Sequence, residues 1–257
     1  MMYPFRFSVL TFNLWNTERW EIRERTLARF LKTYNPDICC FQEVRSSTVA
    51  ALDRFLPFLA RISDPFRGWT EEGNLYFRRD LFSEIEHGAV DLHMPEVDRR
   101  LFWVRLGLTG SQRTLLVCTV HLTHQGNADE QATGTSYRHG EASLIAESIP
   151  LIARKEEPVL ICGDFNDPLH PARILSKAGF TEVFYALGLV PPVTFPSQPC
   201  SEEIYMNESI DKIMHKGPLV PLLAAVPNYI AHGTSCSDHW PVIAVYELHD
   251  LDRTSRK

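Results

Sequence analysis

No run of about 18 consecutive apolar residues occurs in the 257-residue chain, which excludes a membrane-spanning helix. Residues 1–6 lack the apolar core of a secretory signal and lead straight into a strand-like segment. The six cysteines, at positions 39, 40, 118, 162, 200 and 236, form no CxxC pair, which argues against a dithiol or thiolate-zinc framework. Four of them sit in apolar runs, where small buried thiols are common, so reduced core cysteines and a cytoplasmic protein are expected. Lysines and arginines number 26 against 32 aspartates and glutamates, a net charge of −6. That balance, with no lysine-rich stretch, argues against a general electrostatic grip on long nucleic acid, though it leaves room for a local basic groove. Neither an internal repeat nor a linker interrupts the chain. One domain over residues 1–257 is expected, with a charged tail at 252–257 frayed.

What is present is a succession of short apolar strands with helices between them. Residues 7–13 read as a strand, 18–34 as an amphipathic helix stopped by Asn35-Pro36-Asp37, and 38–43 as a buried strand ending on a carboxylate. A short helix is expected at 46–56. Strands are expected at 73–77, 81–92, 101–108 and 114–121, the last two joined through a turn at 109–112. A polar loop at 123–135 leads to a helix at 136–154, a strand at 159–162 and a small helix at 171–177. Two further strands are expected at 209–215 and 219–227, and a last one at 240–246. The run at 219–227 is apolar enough to suit either a central strand or a partner surface. The proline-rich segment 191–203 is long enough to border a site. Two sheets packed face to face with helices outside satisfy this count.

The polar residues cluster at strand ends. Asn13, Glu43 and His121 each close a strand, Asp164 and Asn166 follow Pro158-Val159-Leu160-Ile161-Cys162, and Asp238-His239 open the last strand. Asp211 lies between apolar residues that should face the core. Magnesium asks for carboxylate oxygens and waters, so Glu43 is the natural direct ligand with Asp211 or Asp238 as helpers. Asp164 suits the orientation of an attacking water and Asn166 a donor to the phosphoryl group. His121 and His239 suit phosphate binding, and Asp238 is placed to hold the His239 tautomer.

Each residue alone has a plainer explanation. Asn13 resembles a turn residue, Asp164 and Asn166 resemble helix caps, and Asp238-His239 a simple pair. His121-Leu122-Thr123-His124 has the spacing of a zinc pair but neither a helix nor cysteine partners. Arg138, at the head of the long helix, reads as a solvated charge, with contact to a substrate phosphate as the functional alternative. Trp15, Trp20 and Trp69 read as packing residues, with stacking on a base or sugar as the alternative.

Taken together, Thr11-Phe12-Asn13, Phe41-Gln42-Glu43-Val44, His121, Gly163-Asp164-Phe165-Asn166, Ile210-Asp211 and Ser237-Asp238-His239 resemble, in order and position, the motifs of the endonuclease/exonuclease/phosphatase (DNase I-like) superfamily. The resemblance implies an α+β fold: a four-layered αββα sandwich of two mostly antiparallel sheets with helices outside. It implies Mg²⁺- or Mn²⁺-dependent hydrolysis of a phosphoester, with Asn13 and Glu43 holding the metal and its waters. His121 is then a phosphate contact, Asp164 the residue that orients or deprotonates water, Asn166 a transition-state support, Asp211 a neighbour of metal or phosphate, and Asp238 and His239 the closing pair. Two departures stand against DNA-repair specificity. Trp15 replaces the Asp that abasic endonucleases and tyrosyl-DNA phosphodiesterases carry two residues after the first-strand Asn. Asp167-Pro168-Leu169 replaces the Leu-Arg-Asp that follows Gly-Asp-x-Asn in the latter.

The expected activity is divalent-metal-dependent hydrolysis, of a phosphodiester in particular. The substrate is a small molecule, a lipid head group or a nucleic acid, and the superfamily fold does not choose among them. A tyrosyl-DNA phosphodiesterase, another nuclease or a deadenylase is the alternative within the class. A non-catalytic phosphate-ligand binding protein is the alternative outside it.

Overall fold

The computed structural model describes residues 4–197 and 208–249. The first half of the chain runs β1 (Phe5–Asn13), α1 (Trp20–Tyr34), β2 (Ile38–Gln42), α2 (Ser46–Phe55), β3 (Leu59–Arg61), α3 (Gly68–Glu71), β4 (Gly73–Arg78), β5 (Phe82–Val90), β6 (Leu101–Leu108) and β7 (Thr114–His121). It continues with α4 (Ala128–Thr133), α5 (Tyr137–Ile152), β8 (Val159–Asp164), α6 (His170–Lys177), β9 (Thr181–Glu182) and α7 (Val183–Ala186). After the undescribed residues 198–207 come β10 (Asp211–Lys216), β11 (Leu219–Ala225), the small pair β12 (Ile230–Ala231) and β13 (Thr234–Ser235), and β14 (Val242–Leu248). Cys200, part of the segment 191–203 and the tail at 252–257 lie outside the described residues.

Two six-stranded sheets result, ordered β11-β14-β1-β2-β4-β3 and β5-β6-β7-β8-β10-β9. Only β1–β2 and β7–β8 among their pairings run parallel; the rest are antiparallel. Strand alternation divides the apolar residues into layers. In β2, Ile38 and Cys40 face the space between the sheets with Val104, Val117, Leu160 and Ile213. Cys39 and Phe41 face outward onto Leu27, Phe30 and Leu31 of α1 and Leu52 of α2. On the far side, Cys118, Val120 and Ile161 meet Ile145 and Ile149 of α5 and Leu175 of α6. The adjacent cysteines thus serve two different layers, and the five described cysteines are free and buried. The αββα order follows.

Local chemistry accounts for the elements that periodicity alone left out. Within the polar loop 123–135, Asn127 accepts from the amides of Asp129 and Glu130 and starts α4, which Gly134 closes at φ 70°. The apolar run at 219–227 is not a central strand: β11 lies at a sheet edge, with Leu219 in the core but Val220, Leu222 and Leu223 40–48% exposed. Among the described residues no helix is long and apolar enough to cross a membrane.

Candidate active site

Strand register assembles the site. His121 of β7 pairs with Asp164 of β8, and Asp164 pairs in turn with Asp211 of β10, so three chemistry-bearing residues stand in one row across a single sheet. Asn13 ends β1 in the other sheet beside Gln42, and Glu43 follows directly. Two amides then stitch the sheets together at this end. Asn13 Nδ2 donates to Glu43 Oε1 and to Asp164 Oδ2, 3.0 Å each, while its Oδ1 accepts from the Trp15 amide. Below it, buried Gln42 donates to Thr11 Oγ1 in its own sheet and to Thr119 Oγ1 in the other.

Glycine is required at position 163. A Cβ there would stand 1.9 Å from the Val120 carbonyl oxygen, and the residue has φ 156°. Four non-glycine residues around the site, Trp15, Asn16, Glu43 and Asn166, have φ between 34° and 53°. Sparsely populated conformations of this kind persist where the surroundings over-determine them. Around Trp15 and Asn16 the determinant is Arg23. Its buried guanidinium donates to the carbonyls of Leu14, Trp15, Asn16, Glu18 and Cys236, tying the β1–α1 loop to the segment before Asp238. Burial lowers its pKa to about 10, against the raising influence of Asp238.

Asp164 is 1% exposed. Its Oδ1 accepts from the Asn166 amide at 2.9 Å, and its Oδ2 lies 3.4 Å from His121 Nε2 and 3.8 Å from His239 Nε2. Burial raises the Asp164 carboxyl to about 7, with His239 pulling it down and Asp211 pushing it up. His239 Nδ1 stands 2.8 Å from Asp211 Oδ2. Burial lowers the imidazole's affinity for its proton, but Asp211 and Asp164 outweigh it and lift His239 to about 10. His121 goes the other way, held well below its ordinary value by burial and the neighbouring Arg99 charge. Near neutrality the site therefore holds a neutral imidazole, an imidazolium and a carboxylate balanced at its own titration point.

The expected residues converge, with some exchanges of role. The partner of His239 is Asp211, not Asp238, because β10 brings Asp211 alongside. Asp238 instead accepts from Ser237 Oγ at 3.1 Å. Burial raises its carboxyl and the Glu43 charge adds to that. Asn166 turns one amide hydrogen onto the Leu122 carbonyl at 2.8 Å, and the other has no partner among the described residues. Arg138 is not a solvated charge. It is 5% exposed, donates to Thr123 O and pairs with Glu130 at 2.9 Å, so its guanidinium organises the loop ahead of α5. Trp69 is core, against Phe102, and His124 is exposed and joins no ligand cluster with His121 among the described residues.

Several supporting residues carry no sequence signal of their own. Thr194 Oγ1 accepts from the amides of Ile210 and Asp211, and its carbonyl accepts from the Trp240 amide, fixing both members of the Asp211–His239 pair. Ser237 Oγ accepts from the His239 amide. Beside Asp238 opens a cavity of about 270 Å³, whose walls include Trp15, Phe195 and Ser237.

Glu43, Asp238 and Asp211 offer oxygens only, as hard cations prefer. The Asp211 Oδ1 is buried without a hydrogen-bond partner among the described residues, and the Glu43 charge adds to the burial that raises the Asp238 carboxyl. These residues fit Mg²⁺ or Mn²⁺. Asp164, Asp211 and His239 also bring ligand atoms within 4.8 Å of one another.

Two sheets enclosing a carboxylate–imidazole row at one end, with helices outside, define the DNase I-like class of sandwich. The chain belongs to the Endonuclease/Exonuclease/phosphatase family, whose model matches residues 10–239. No curated protein sequence matches it significantly. Among solved structures it is similar to D. rerio TDP2 complexed with single-strand DNA product, at 19% identity and TM-score 0.76, over 94% of this chain and 98% of that one. It is similar to a mannosyl-6-phosphatase from Bacteroides thetaiotaomicron at 19% identity and TM-score 0.77, over 93% and 99%. A family member from Bacteroides vulgatus reaches 20% identity and TM-score 0.78, over 95% and 100%. These likenesses establish the fold.

Proposed function

We propose that the protein is a Mg²⁺- or Mn²⁺-dependent phosphoesterase that hydrolyses a phosphodiester with water activated by Asp164. The observation that carries this reading is geometric: Asp164 Oδ2 lies 3.4 Å from His121 Nε2 and 3.8 Å from His239 Nε2, whose Nδ1 meets Asp211 at 2.8 Å, and burial raises the Asp164 carboxyl to about 7. A general base is most effective when its pKa lies near the working pH. Asp164 takes the proton of the attacking water at Oδ2, the oxygen that Asn13 orients. The His239 imidazolium, fixed by Asp211, donates toward the phosphoryl oxygens as charge builds on them. Neutral His121 is a second donor, and the other amide hydrogen of Asn166 a third. Glu43 and Asp238 would hold the ion, with Asp211 Oδ1 beside it and Asn13 fixing Glu43. When bound, the ion supplies charge neutralisation at the phosphoryl oxygens.

The charge inventory favours a diester over a monoester. His239 is the one strongly cationic side chain beside Asp164; Arg23 is engaged by carbonyls, Arg99 by Glu72 and Glu96, and Arg138 by Glu130, while exposed Arg19 lines the cavity rather than the row. A diester brings one negative charge and a monoester dianion two. We place one arm of the ester in the cavity beside Asp238.

The test compares bis-(p-nitrophenyl) phosphate with p-nitrophenyl phosphate, each with Mg²⁺, Mn²⁺ or EDTA. Diester cleavage is expected with either metal and none with EDTA. Asp164→Asn is expected to lower the rate about 10²–10⁴-fold while leaving the melting temperature in place. Full activity in that variant, or in EDTA, overturns the assignment.

A further inference from the structure

Outside the catalytic row, a second set of ligating side chains converges on the helical face of the molecule. His139 lies in the first turn of α5, His170 opens α6, and Asp167 lies in the loop between β8 and α6. One ligand atom from each lies within 4.8 Å of the others. We propose that His139, Asp167 and His170 form a binding site for a divalent transition metal, zinc in the first instance, separate from the catalytic centre.

The geometry is already close to what such an ion needs. Asp167 Oδ2 and His170 Nδ1 stand 3.2 Å apart. Two ligands at zinc's usual N and O distances occupy a tetrahedral edge of about 3.3 Å. The Asp167 carboxylate is held in place independently of His170's ring: it is 7% exposed, and its Oδ1 accepts from the amides of Leu169 and His170, which leaves Oδ2 to face the imidazole. The same bonds hold its pKa below the ordinary value against the effect of burial, so the ligand is charged. His139 and His170 are both exposed, with ring centroids 5.0 Å apart, so a side-chain rotation brings the third ligand in without moving the backbone. The nearest competing cation, Arg138, has its Nε 4.0 Å from Asp167 but is paired with Glu130.

Ligand type separates the two centres. Imidazole suits zinc, copper and nickel, whereas carboxylate and water suit magnesium and manganese. Two histidines with one carboxylate therefore select a different ion from the oxygen-only set at Glu43 and Asp238. Water completes the coordination, as in other three-ligand sites. Position suggests the consequence. An ion held here fastens the start of α6 to the start of α5 and fixes Asp167, three residues beyond Asp164.

The experiment is calorimetric titration of the full chain with Zn²⁺ in excess Mg²⁺, with Co²⁺ absorption as a second readout of coordination geometry. One Zn²⁺ per chain is expected, with a melting temperature that rises with zinc concentration. Removing even an outer partner of a metal ligand costs about 10–100-fold in affinity, so His139→Ala and His170→Ala should each weaken binding by at least tenfold. Both side chains are exposed, and unchanged melting of the metal-free variants rules out misfolding as the cause. Glu43→Gln should bind Zn²⁺ as the wild type does. Wild-type Zn²⁺ affinity in either histidine variant, loss of binding in Glu43→Gln, or no binding in excess Mg²⁺ would each overturn the proposal. None of these outcomes depends on whether the protein hydrolyses phosphodiesters.

Discussion

Burial raises the Asp164 carboxyl to about 7; burial opposes the His239 proton, but the Asp211 and Asp164 charges together outweigh it and raise His239 to about 10. These values describe a coupled pair, and the pH–rate profile reports the pair. The value of kcat/KM is expected to rise through about 7 as Asp164 ionises and to fall through about 10 as His239 loses its proton. Asp211→Asn should move the alkaline limb down; a limb that stays in place would remove Asp211 from that role. The same shifts bear on stability, and the sign is the same for both. Each folded-state pKa is raised, so each group stabilises most below its ordinary value, 3.8 for Asp164 and 6.5 for His239, and loses that contribution as pH rises through about 7 and about 10 respectively. EDTA-treated protein should therefore melt progressively lower as pH rises from 6.5 toward 10, and Asp211→Asn should flatten that dependence. At this scale the sequence disclosed which residues converge and less of how they pair. Asp164 and His239 were legible as polar residues at strand ends, and Asp211 as a carboxylate between core-facing apolar residues. That Asp211 rather than adjacent Asp238 meets the imidazole depends on β10 lying beside β8, which no local pattern announces.

Strand and helix boundaries were easier to read than the devices that place the elements against one another. Alternation in Ile38-Cys39-Cys40-Phe41 and the spacing in α1 identify their elements because burial enforces those periods. Arg23 defeats the same logic. A charge within an amphipathic helix reads as solvated, yet it is buried because the β1–α1 loop folds back over it and supplies four carbonyls, with Cys236 supplying a fifth. The apolar edge strand β11 also escaped, since hydrophobicity does not distinguish a strand with one neighbour from a strand with two. Gly163 was visible as part of a motif, but its reason lies across the sheet, where the Val120 carbonyl occupies the space a side chain needs. Gly163→Ala sets backbone against backbone, and no side-chain rotation relieves it. A loss of about 3 kcal/mol or more is expected, read as a lower urea midpoint with an unchanged slope. Activity should fall in parallel, because the β7–β8 register that aligns His121 with Asp164 cannot survive the displacement. A variant with wild-type midpoint would show that this strand pair tolerates separation.

Across the whole molecule, the site occupies one end of the sandwich and is built from both sheets. Its polar parts are tied by Asn13 and Gln42 rather than by a band of cations. The surrounding surface belongs to a chain of net charge −6, and Arg23, Arg99 and Arg138 are already engaged. A protein that grips a duplex through many phosphates loses about 10³–10⁵ in affinity between roughly 50 and 200 mM salt, because each contact releases counterions. One that holds a single phosphodiester at one imidazolium and one metal centre has few counterions to release. The expectation is a nearly flat dependence of kcat/KM on monovalent salt over that range, with oligonucleotide and small diester substrates behaving alike. A steep loss confined to the oligonucleotide would reveal a basic path along the surface and make nucleic acid the substrate. A flat profile on both directs the substrate screen toward small phosphodiesters and lipid head groups, where the cavity beside Asp238 does the selecting.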